Sequence, residues 1–118
     1  MPMLADFSQI IGNAGRSIPQ TAFGIEVPLP DFLTYGADPN SNALLIYSAI
    51  NLTGGASVFI NGGNVGYITK TSDTIFSTQL IAFSGFSLRD GVNKIVLKDV
   101  TDEFIIKDLI CFYQRPSS

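Results

Sequence analysis

The stretch Ser57-Val58-Phe59-Ile60-Asn61-Gly62-Gly63-Asn64-Val65-Gly66-Tyr67-Ile68 decides the fold class. Two apolar runs, Val58-Phe59-Ile60 and Val65-Gly66-Tyr67-Ile68, flank a cluster of Asn and Gly. Glycine reaches positive φ without steric cost and Asn tolerates it, which is what a tight hairpin turn demands. The stretch therefore predicts two antiparallel strands joined through Asn61-Gly62-Gly63-Asn64. Working outward, the same pattern repeats: short runs rich in Ile, Val, Phe and Tyr, broken by Gly, Asn, Asp and Pro. It predicts strands over Thr21–Val27, Asn42–Ile50, Ser57–Asn61, Asn64–Thr69, Phe76–Phe83, Val92–Lys98 and Phe104–Tyr113. Asp90-Gly91 marks a second turn, and Ala37-Asp38-Pro39-Asn40-Ser41-Asn42 reads as a loop. Pro28 and Pro30 bracket Leu29 and close the first strand, because neither ring nitrogen can donate to a ladder. Seven short strands at this spacing predict an all-β antiparallel sandwich over residues 21–118.

Residues 1–20 follow another pattern. Leu4, Phe7, Ile10 and Ile11 fall at helical spacing, with Pro2 near the start and Gly12 after the last apolar residue. The segment is expected to be a short amphipathic helix or an extended arm. It either covers the core or packs on a neighbouring subunit, with those four side chains as its contacts.

Composition excludes several classes of function. Of 118 residues, 46% are hydrophobic and 14% charged, against about 25% charged in an ordinary domain. A disordered chain has the opposite balance. The net charge of −3 with seven Lys and Arg leaves no electrostatic footprint for nucleic acid. There is one cysteine, hence no internal disulfide, and no histidine. The latter removes the commonest general base and transition-metal ligand. Met1 to Phe7 shows neither a basic nor an unbroken apolar region, so no signal peptide is expected. The longest apolar stretches, Ala43–Ile50 and Phe104–Tyr113, fall short of the roughly 20 residues of a spanning helix. A virion or cytoplasmic protein, not a membrane one, is the expectation. With a mean hydropathy of +0.30, the apolar surface must be buried within the domain or against other chains.

The hairpin, together with Phe86-Ser87-Leu88-Arg89-Asp90-Gly91-Val92-Asn93-Lys94-Ile95-Val96-Leu97 and Lys107-Asp108-Leu109-Ile110-Cys111-Phe112, resembles three consecutive segments of galactose-binding-like domains. The likeness runs in the right order from Ser57 to Tyr113, about half the chain. It implies a jelly-roll β-sandwich that binds carbohydrate or another protein and rarely catalyses. Sugar-binding members often carry Trp or Tyr platforms at their loop ends. This chain has no Trp, and of its four Tyr three lie in predicted strands, which leaves Tyr35. The structural calcium common in such modules uses an N-terminal Glu pair with an Asp matching Asp108. Only Glu26 lies near the equivalent strand, so no metal or cofactor is expected.

Residues with chemical potential read blandly one by one. Asp38-Pro39-Asn40-Ser41-Asn42 begins like a calcium loop, but Ala43 stands where glycine is required and Ala49 where the bidentate Glu belongs. Asp99, Asp102 and Glu103 form an acidic turn. Gly62-Gly63-Asn64-Val65-Gly66 leads into a strand, so it offers no helix N-terminus to a phosphate. Cys111 alternates with Ile110 and Phe112, which predicts a buried, inert thiol.

Two functions remain in view. The first is a non-catalytic structural protein of a large assembly, such as a phage capsid cement (decoration) protein or a tail or baseplate component. Its partners are copies of itself or other capsid or tail subunits. A surface poor in charge suits such contacts, because desolvating charges is costly. The second is a carbohydrate-binding module whose glycan site draws on Tyr35, Asp38, Asn40 and Asn42.

Overall fold

The computed structural model describes residues 3–116. Pro2, read above as a helix-start signal, lies outside the described residues. Eleven strands follow in chain order: β1 (Met3–Ile11), β2 (Arg16–Ile18), β3 (Glu26–Pro28), β4 (Phe32–Thr34), β5 (Asn42–Ile50), β6 (Gly55–Ile60), β7 (Gly63–Thr69), β8 (Ser77–Ser84), β9 (Gly91–Asn93), β10 (Ile95–Lys98) and β11 (Phe104–Pro116). All pairings are antiparallel. The all-β expectation holds.

The first sheet has the order β1-β11-β5-β8, with β2 beside the start of β11. The second has the order β3-β10-β6-β7, and the pair β4-β9 prolongs its β3-β10 edge. The chain changes sheet at nearly every long connection, whereas β6 and β7 stay together as the hairpin. Asn61 and Gly62 at its tip have φ of 52° and 88°, the positive pair that a two-residue turn needs. The inner faces share one core. Leu45 and Tyr47 of β5 and Ile106 and Leu109 of β11 close around a void of about 10 Å³ with Val58, Ile68, Ile95 and Leu97 of the second sheet.

Several local expectations are corrected. The N-terminal segment is extended, not helical: β1 is an edge strand paired with β11 from Met3↔Pro116 to Ile11↔Leu109. A bulge lies between Gln9 and Ile11, so Ile10 and Ile11 are both buried although they are neighbours. An extra residue shifts the two-residue alternation of a strand, and the result imitates helical spacing. Thr21–Val27 is strand only at its end; a turn carries Ala22 to Ile25, whose N–H donates to the Ala22 carbonyl. Val92–Lys98 is interrupted at Lys94, where the Asn61 side chain takes the place of a neighbouring strand: Lys94 N–H donates to Asn61 Oδ1 at 3.0 Å. β2 and β4 carry no signal that the sequence reading caught, each being three residues long.

Candidate interaction surfaces

Along β5, Ala43, Leu45, Tyr47 and Ala49 are buried while Leu44, Ile46, Ser48 and Ile50 are half-buried, so one face lies in the core and the other is only partly covered. In an antiparallel sheet the outward face is ordinarily polar. Here the register assembles outward-facing apolar rows across all four strands. One runs Phe7, Phe112, Leu44, Ala82. The next runs Gln9, Ile110, Ile46, Leu80. Phe7 and Leu80 protrude, at 62% and 61% exposure. Phe7 leans on Phe112 with ring centroids 6.1 Å apart. Neither row contains a charged side chain. Beyond the rows, β11 carries Lys107, whose Nζ sits 4.3 Å from the Phe76 ring centroid.

The four N-terminal residues divide accordingly. Phe7 belongs to this outer face and Leu4 is exposed at the β1 edge, whereas Ile10 and Ile11 are core. Only the first two are available to a partner.

The loops at one end of the sandwich form a second surface. Gly85 sits so close to the 38–41 loop that a Cβ there would run into the Asp38 carbonyl oxygen, and its N–H donates to Ser41 O at 2.8 Å. Ser84 caps the 3-10 turn that follows by accepting from Phe86 N–H at 3.2 Å. Asn61 Nδ2 donates to Ser87 O, and Asn93 Oδ1 accepts from Arg89 N–H. With its backbone fixed in this way, the loop presents Phe86 at 80% exposure. An open cleft of about 330 Å³ lies beside it, lined by Ile60, Asn61, Gly63, Phe86, Ser87 and Arg89. Sequence reading missed this cleft, since Phe86 and Arg89 lie about 25 residues from the hairpin tip that forms its other wall.

The predicted sugar cluster is not gathered into one pocket. Tyr35 is exposed, and its N–H donates to Tyr113 Oη at 3.2 Å. Asp38 is engaged in its own turn, accepting from Ser41 Oγ at 2.6 Å and from Asn40 N–H at 3.3 Å. Asn40 is exposed in that turn. Asn42 opens β5 and lines a dent of about 60 Å³ on the outer face with Ala5, Leu44, Phe112, Tyr113 and Gln114.

The remaining candidates serve the fold. Asp102 accepts from Thr53 N–H at 3.0 Å and from Thr101 Oγ1 at 2.6 Å; the Thr101 hydroxyl first, and Thr53 next, hold its carboxyl below the usual range. Asp108, which matches the calcium ligand of the resemblance, stands at φ 53° where β11 slips register against β5. Asp tolerates that left-handed backbone better than most residues. Burial pushes the Cys111 thiol up to about 12. Among the described residues no three Cys, Asp or Glu side chains come together as a metal site, and no helix is long and apolar enough to cross a membrane. No family model matches this chain, nor does any curated protein sequence, so the surfaces themselves must carry the functional reading.

Proposed function

We propose that this chain is a non-catalytic structural protein that works by packing against protein subunits in a larger assembly, on the sequence reading a phage particle. We read the two sheet orders, with their repeated crossings, as a jelly roll. The observation that carries the functional proposal is the pair of uncharged rows, apolar but for Gln9, on the outer face of the first sheet. β5 and β11 are central strands with apolar residues on both faces, a pattern ordinarily found where both faces are buried. In the single chain only one is. Large exposed apolar patches mark interaction sites. Light scattering after size exclusion tests this: a mass of two or more chains is expected, and a strict monomer at every concentration overturns it.

The cleft beside Phe86 favours a second reading, carbohydrate binding at the loop end. An aromatic ring on a fixed loop can stack on a sugar face, with Ser87 and Arg89 as hydrogen-bond donors. On this reading Phe86→Ala removes binding in a glycan screen, and a screen with no response rejects it.

A further inference from the structure

We propose that a second copy of this chain covers the outer face of the first sheet, face to face, about a two-fold axis that runs along the strands between β5 and β11. The proposal rests on the subunit-packing reading and names the partner for that surface.

Three observations lead to it. First, Phe7 and Leu80 stand 62% and 61% exposed, so among residues 3–116 nothing covers this part of the face. Second, the area suffices. Four strands at about 4.8 Å spacing and nine residues at about 3.4 Å give a footprint of about 590 Å² per copy. Doubled, about 1,200 Å² passes the roughly 1,000 Å² that a biological interface needs. Third, the chain carries a net charge of −3, yet the apolar rows hold none of it. The rows themselves can therefore meet without desolvating or opposing a charge, and the footprint takes in one flanking cation, Lys107, at the Ser48 register of β5.

The row order then selects the axis. A two-fold contact is isologous, so each row faces its own reverse: β1 lies over β8, and β11 over β5. Phe7, the protruding ring at the β1 edge, meets the partner's Ala82, the smallest side chain of the same row. Phe112 meets the partner's Leu44, and Ile110 meets the partner's Ile46. Leu80 covers the aliphatic stem of the partner's Gln9. An axis across the strands would set Phe7 on the partner's Gln9, a poorer fit for the largest apolar group. The offset of about 30° between aligned sheets moves a corner by about half a row, so the Phe7 ring overlaps the edge of the partner's Ala82 and the gap beside it.

Ala82→Phe, Phe7→Ala and the double exchange Phe7→Ala/Ala82→Phe test the geometry, since both positions are exposed in the single chain. Sedimentation equilibrium gives the dissociation constant, and far-UV circular dichroism checks the fold. Ala82→Phe, which overpacks two symmetric contacts, is expected to weaken the dimer at least about 100-fold. The exchange moves the ring to the other edge, opposite the new small residue, and is expected to recover to within about tenfold of the original. A particle that stays associated in all three variants overturns this geometry and leaves the subunit-packing reading standing. A dimer that the exchange fails to recover overturns the axis. A strict monomer of the unaltered chain overturns both proposals.

Discussion

Asn93 has no exposed surface, yet every hydrogen-bonding position of its amide is filled. Its two Nδ2 hydrogens are shared among Thr34 Oγ1, Arg89 O and Gly91 O, and its Oδ1 accepts from Arg89 N–H and Asn61 Nδ2. One side chain thus ties β4, β9 and the Phe86 loop to the hairpin tip. Asn93→Leu removes these bonds and leaves buried carbonyl and amide groups without partners, a loss of about 2–4 kcal/mol. A urea titration should show that drop, and limited proteolysis should cut near Phe86 first; an unchanged midpoint would sink this account. The turn at Asn61-Gly62 was legible because its chemistry is local. The Asn61 side-chain role was not, since Ser87, Asn93 and Lys94 lie 26, 32 and 33 residues away. For the same reason the segments that carried the family resemblance are explained by the fold's own bonds, before any ligand is invoked.

At the scale of elements, β1 shows why spacing alone misleads. Helical and strand readings differ only in period, and one bulge in a nine-residue strand is enough to blur them. β5 and β11 were legible as strands through their β-branched and aromatic runs, and their two-sided apolarity already signalled cover on both faces. What the sequence could not show was the register that turns scattered apolar residues into rows, because that depends on pairings between strands distant in the chain. The two residue types of β1 should now part company. Ile10→Asp places a charge in the core and is expected to leave the chain unfolded. Phe7→Asp alters an exposed position and is expected to leave stability within about 0.5 kcal/mol while abolishing association. Thermal denaturation read beside light scattering separates the two; association that survives Phe7→Asp counts against the outer face. β8 closes the other edge differently. Gln79 accepts from Tyr47 Oη and Thr69 N–H and donates to Thr69 O, binding the β8 edge of one sheet to the β7 edge of the other.

For the whole molecule, the absence of histidine removes the group that titrates near neutrality, so the pH dependence of stability is set at the two extremes. On the acid side, the carboxyls of Asp6 and Asp102 are held below their ordinary range. Asp6 is held first by the Phe7 N–H and then by Arg115, Asp102 first by the Thr101 hydroxyl. A folded-state pKa below the unfolded one means that the unfolded chain binds more protons as the medium acidifies. Their contribution is therefore complete above the unfolded value, about 4, and is lost as pH falls through the folded one. On the alkaline side the sign reverses. Burial pushes the Cys111 thiol up to about 12 and raises Tyr47 as well. Both groups stay protonated in the fold while the unfolded chain ionises, so stability is complete below about pH 8 and falls as pH rises through the folded values. A urea midpoint followed from pH 2 to 11 should show a plateau between about 5 and 8 with a fall on each side. Asp102→Asn should flatten the acid limb, and Cys111→Ala should start the alkaline fall later from a lower plateau, because it leaves a small cavity. An alkaline fall that Cys111→Ala leaves unchanged would mean that the fold does not shield the thiol, because a group with the same pKa folded and unfolded adds nothing to the pH dependence.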